Sequence, residues 1–78
     1  MSETAPAMRA RLVEHLRASG RISDDDLYAW MAGSGWTASS GQGDIRTLVR
    51  AGAIVRMDQP ERGLRRTGRP KCAFEVAP

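Results

Sequence analysis

The chain has 78 residues, with one Cys and one His. A chain this short buries only about 60–65% of the surface it exposes when unfolded, so it is read as one domain spanning residues 1–78. An internal disulfide and a His-rich metal site are both excluded, and no cofactor is expected. Twelve basic residues against nine acidic ones give a net charge of +3. Residues 1–55 are balanced, with Arg9, Arg11, Arg17, Arg21, Arg46 and Arg50 against Glu3, Glu14, Asp24, Asp25, Asp26 and Asp44. The surplus lies in residues 56–78, where Arg56, Arg62, Arg65, Arg66, Arg69 and Lys71 face only Asp58, Glu61 and Glu75. Every cation but Lys71 is Arg, the side chain suited to bidentate phosphate and guanine contacts. No apolar run is long enough to span a membrane. Met1–Pro6 carries Glu3 and lacks a basic-then-apolar leader, so a cytoplasmic (intracellular) location is expected, with Cys72 reduced.

Thr4 can cap a first helix and Pro6 suits its first turn. Met8, Leu12 and Leu16 recur at helical spacing beside Val13, and Gly20 follows Ser19 as a stop. The pattern predicts a helix over about 6–19. Arg21-Ile22-Ser23 reads as a short extended link with Ile22 inward. Ser23 caps a second helix, about 24–32, whose first turn carries Asp24, Asp25 and Asp26 where the helix dipole favours negative charge. Three consecutive carboxylates on a helix point in different directions and do not converge on one metal ion. Leu27, Trp30 and Met31 form its buried face, and Gly33-Ser34-Gly35 makes a turn.

The third helix, about 39–51, has two candidate caps: Thr37, or Ser39 with Gln42 completing a capping box. Gly41 and Gly43 weaken its start. Ile45, Leu48 and Val49 are expected inward, and Gly52 closes it. Ala53–Asp58 and Lys71–Ala77 read as strands of a β-wing covering about 53–77. On the second strand, Cys72, Phe74 and Val76 share one face and Lys71, Ala73 and Glu75 the other. Cys72 therefore reads as a small core residue. The intervening Gln59–Pro70 is long for a plain hairpin loop and is a candidate functional loop.

Two stretches carry a family resemblance: Ile45-Arg46-Thr47-Leu48-Val49-Arg50-Ala51-Gly52-Ala53-Ile54-Val55, and Arg66-Thr67-Gly68-Arg69-Pro70-Lys71-Cys72-Ala73-Phe74-Glu75-Val76. After two suitable helices, the chain resembles a winged helix-turn-helix domain over nearly its whole length. The resemblance implies an α+β fold with three helices and a two- to three-stranded antiparallel wing. It also implies a third helix that enters the DNA major groove and a wing that lies along the backbone or in the minor groove. Carried onto this sequence, Gln42, Arg46 and Arg50 would face the bases, flanked by Ser39, Ser40 and Thr47. Gln suits adenine and Arg suits guanine.

In the loop, Arg62, Arg65, Arg66, Arg69 and Lys71 crowd together and suit phosphate contact, against the plainer reading of a charged edge hairpin kept from aggregating. The acids of the second helix would turn that helix's start away from a duplex. His15 has no nucleophile or carboxylate beside it in sequence, and nothing resembles an enzyme site. Trp30 reads as core. Trp36 is placed either against the first helix or at a partner surface. The expected function is double-stranded DNA binding, as a transcriptional regulator or accessory factor of the compact kind seen in phage and mobile elements. The alternative is a winged helix used as a protein-binding module, such as a phage-encoded inhibitor of a host nucleoprotein complex of the anti-CRISPR type. A single copy covers few base pairs, so a homodimer or a neighbouring partner is expected.

Overall fold

The computed structural model describes residues 3–78. Helix α1 (Ala5–Ser19) begins where the Thr4 hydroxyl accepts the Ala7 N–H, and Gly20 ends it. Strand β1 (Ile22–Ser23) leads directly into α2 (Asp24–Gly33), capped by the Ser23 hydroxyl on the Asp26 N–H. Helix α3 (Ala38–Arg50) follows a short turn, then β2 (Ile54–Asp58), a 3₁₀ turn at Pro60–Arg62, and β3 (Cys72–Val76). The sheet is antiparallel in the order β1-β3-β2, so the last strand is central. Three helices with this three-stranded sheet make an α+β fold consistent with a winged-helix layout. Among the described residues no helix is long and apolar enough to cross a membrane.

Leu12 and Leu16 of α1, Leu27 and Met31 of α2, Ile45 and Leu48 of α3, and Ile54, Cys72 and Phe74 of the sheet form one core. Ala73 lies on the opposite face of β3 and is still buried, because it is a small side chain on the central strand between Ser23 and Met57. Two expectations about the interior need correction. Val49 is 36% exposed rather than inward, because it faces the open space between α3 and the wing. Trp30 is only half-buried, stacked at 3.8 Å on His15 of α1.

Trp36 goes inward and ties the turn to both neighbouring helices. It is 5% exposed, and its indole N–H donates to Asp44 Oδ2 at 2.8 Å. The Arg11 guanidinium lies 4.8 Å above its ring and donates to the Ser34 carbonyl. Asp44 also faces Arg9 of α1 at 3.5 Å.

Helix α3 starts one residue earlier than expected, and its cap is Thr37 rather than Ser39. The Thr37 hydroxyl accepts the Ser40 N–H while the Ser40 hydroxyl accepts the Thr37 N–H, a reciprocal capping box. Gln42 takes no part in it. Gly41 is buried against α2, where a Cβ would stand 3.3 Å from the Met31 methyl, so glycine here permits close helix packing. Gly43 faces open space. Gly43→Ala should therefore stabilise the protein by about 0.5–1 kcal/mol through helix propensity. Gly41→Ala should gain less or lose stability, because Met31 must shift; urea denaturation of both variants measures the difference.

Candidate nucleic-acid interface

The backbone pairing around β3 determines where the wing lies. Ile22 pairs with Phe74 and Ser23 with Ala73, so a further β1 residue would fall opposite Cys72. The chain instead turns into α2 at that point. The Asp24 carboxylate takes the vacated position and accepts the Cys72 N–H at 3.1 Å through Oδ2 and the Asp25 N–H at 2.7 Å through Oδ1. The Cys72 carbonyl accepts from Arg62 Nη1 at 3.2 Å. Side chains thus satisfy both main-chain polar groups of Cys72 where the strand pairing stops.

Asp24 is 1% exposed and stands 3.6 Å from Arg62 and 3.9 Å from Arg65. Burial alone would raise its pKa. The two N–H donors and the two guanidiniums outweigh that and hold it below the usual carboxylate range. The Cys72 thiol donates to the same carboxylate at 3.7 Å, and burial pushes its pKa up, so it stays protonated as part of the core.

This cluster divides the wing cations. Arg62 also meets Asp25 at 3.6 Å and Gln59 at 2.8 Å, and Lys71 meets Asp25 at 3.4 Å. Arg62 and Lys71, expected at phosphates, are committed to the start of α2. The acids of that helix start therefore hold the wing as well as favouring the helix dipole. Arg65 is shared: it reaches toward Asp24 and lies 5.9 Å from the Tyr28 ring centroid. Among the described residues, Arg46, Arg50, Arg66 and Arg69 enter no ion pair.

The wing loop is ordered by its own hydrogen bonds. Leu64 bridges Pro70, and Arg65 N–H donates to the Arg69 carbonyl at 2.7 Å. Gly68 N–H closes the tip onto the Arg65 carbonyl at 2.9 Å, with φ of 83° at Gly68 that suits glycine. Lys71 N–H donates to Gly63 and Gln59 N–H to Lys71, so the loop leaves β2 and returns to β3 as a folded lobe.

Between α3 and this lobe lies an open groove of about 780 Å³. Ile45, Val49 and Phe74 contribute apolar surface. Arg46 and Arg50 come from α3, Arg56 from β2, and Arg65 and Arg69 from the wing; among the described residues no carboxylate is in the lining, with Asp58 3.4 Å from Arg56 and Asp24 3.9 Å from Arg65. Gln42 and Thr67 add neutral hydrogen-bonding groups. The structure thus brings Gln42, Arg46, Arg50, Arg65 and Arg69 together. Ser40 is occupied by capping, Ser39 lies exposed at the start of α3, and Arg66 is exposed at the wing tip. Arg56 is a groove residue that the sequence did not single out; its place on a strand whose alternate residue, Ile54, faces the core was the available signal.

No protein-family model, curated protein or solved structure matches the chain. Among the described residues no group of three or more His, Cys, Asp and Glu is placed to hold a metal ion.

The Asp24 cluster makes stability depend on pH. Its folded pKa lies below its unfolded value, so the contribution is complete above about pH 4 and is lost as pH falls through the folded pKa. Asp24→Asn should cost about 3 kcal/mol at neutral pH and remove part of the acid-induced loss of stability. Urea denaturation from pH 7 to pH 3 reads both effects; equal stability of variant and parent at pH 7 would contradict the cluster's role.

Proposed function

We propose that this protein is a winged-helix double-stranded DNA-binding protein, acting as a transcriptional regulator or accessory factor and not as an enzyme. The observation that carries the reading is the groove between α3 and the wing, where guanidiniums from three elements converge and those of Arg46, Arg50 and Arg69 enter no ion pair among the described residues. Cations held together on folded elements attract a phosphate chain and release its counterions. Arg46 and Arg50 are on exposed α3 positions suited to base edges, with Gln42 beside them. Arg65, Arg66 and Arg69 would follow the phosphates. Arg62 and Lys71 would act indirectly, by keeping the wing in place.

Fluorescence anisotropy of a random duplex, titrated at several salt concentrations, tests the reading. With the three wing cations Arg65, Arg66 and Arg69 on phosphates, log K should fall against log salt with a slope of about −3. No binding at ~50 mM salt would overturn it. Arg69→Ala should flatten the slope by about 1, whereas Arg62→Ala should leave the slope unchanged and cost about 1–2 kcal/mol of stability. Arg46→Ala should narrow the gap between a selected site and random sequence by about 1–3 kcal/mol.

One observation favours a second reading. Val49 and Phe74 give the groove an apolar floor, and Leu64 on the wing is 64% exposed. An acidic amphipathic segment of a protein partner would use both the floor and the rim, as a protein-binding winged helix would. Binding of such a peptide with no binding of duplex DNA would select this reading.

A further inference from the structure

Strand β2 lies at the edge of the sheet, with β3 as its neighbour. Ala77 N–H donates to the Ala53 carbonyl and Gln59 N–H to the Lys71 carbonyl, so the odd-numbered residues of this segment bond to β3. Antiparallel pairing alternates, which leaves the N–H and C=O groups of Ile54, Arg56 and Asp58 directed away from β3. Among the described residues β2 has no second neighbour in the sheet, and no hydrogen bond outside the strand pairing occupies those groups. Ile54–Asp58 itself contains no Pro and no bulge, and Pro60 in the turn beyond it limits an approaching copy to pairing over residues 55–59.

We propose that the chain forms a two-fold homodimer through antiparallel β2–β2 pairing centred on Met57. Charge selects this register. Centring on Met57 sets Arg56 opposite the partner's Asp58 and Asp58 opposite the partner's Arg56, giving two equivalent ion pairs. Centring on Arg56 would oppose two guanidiniums, and centring on Val55 would leave Asp58 without a partner. Opposite charges directly across an antiparallel pair stabilise it and like charges destabilise it. Arg56 and Asp58 already lie on one face, 3.4 Å apart, with side chains 35% and 60% exposed. The dimer therefore joins two such pairs into a four-charge cluster. On the other face, Met57 meets the partner's Met57 beside Val55, a large apolar side chain that is otherwise exposed.

The two-fold axis runs perpendicular to the sheet, so β1-β3-β2 continues into its copy as six strands. Both α3–wing grooves then open on the same side. Arg56 lines its own groove, so the seam carries a guanidinium from each copy between the two grooves. The interface itself does not rest on the DNA-binding reading, because its ion pairs and main-chain bonds need no nucleic acid.

Two five-residue strands bury little area, so weak association is expected. Sedimentation equilibrium without DNA, over a series reaching about 1 mM, tests it. The parent should approach twice the 8.5 kDa monomer mass as concentration rises. Arg56→Asp sets Asp against Asp, Asp58→Arg sets Arg against Arg, and each variant alone should remain monomeric. An equimolar mixture of the two should dimerise, since each copy supplies the charge the other lacks. Circular dichroism of each variant confirms that it is folded. A monomeric parent throughout the series, or a mixture no heavier than its separate components, would overturn the proposal.

Discussion

The wing is positioned by what happens where β1 stops. The central strand β3 extends one residue past the end of β1, and the main-chain groups of Cys72 there have lost their strand partner. A buried polar group left unpaired costs about 1–3 kcal/mol. Asp24 and Arg62 satisfy these groups, and they can do so because α2 begins immediately after β1 and the 3₁₀ turn brings Arg62 to the same end of the sheet. The carboxylate is in turn kept ionised by Arg62, Arg65 and two N–H donors. One short break in strand pairing therefore links α2, β3 and the base of the wing.

The groove depends on that link. Its α3 wall is fixed separately: Trp36 bonds Asp44, the Thr37–Ser40 box starts the helix, and Gly41 lets α3 approach Met31. The opposite wall is the lobe carrying Arg65 and Arg69, held at its base by Arg62 and Lys71 against Asp25. The wing cations thus have two kinds of work. Those near the base neutralise the acids of α2 and place the lobe, while Arg66 and Arg69 nearer the tip enter no ion pair among the described residues and are the ones proposed to meet an outside anion. The net charge of the loop measures neither role alone.

Much of this was legible in the sequence. Thr4, Ser23 and Gly20 marked helix boundaries because capping is local, and strand alternation placed Cys72 and Phe74 inward. The cationic face of α3 followed from residues one turn apart. The Asp24–Cys72 bond was not legible, because its partners are 48 positions apart and a first-turn Asp already has a sufficient local explanation. Similarly long separations in sequence hid the pairing of Arg62 and Lys71 with Asp25. Gly41 read as a weakness because propensity does not reveal the neighbouring Met31. Val49 read as core because helical periodicity cannot show that the sheet leaves an opening beside it.

We propose that α3 and the wing tip form one anion-binding surface while the wing base serves the fold. The most direct measurement is an amide NMR titration of the isotope-labelled protein with a short duplex at low salt. Shifts should concentrate at Gln42, Arg46, Arg50 and the wing tip from Arg65 to Arg69, with Asp25 and Lys71 little changed. Shifts centred on α1 or on the wing base, or a spectrum that duplex leaves unaltered, would contradict the account.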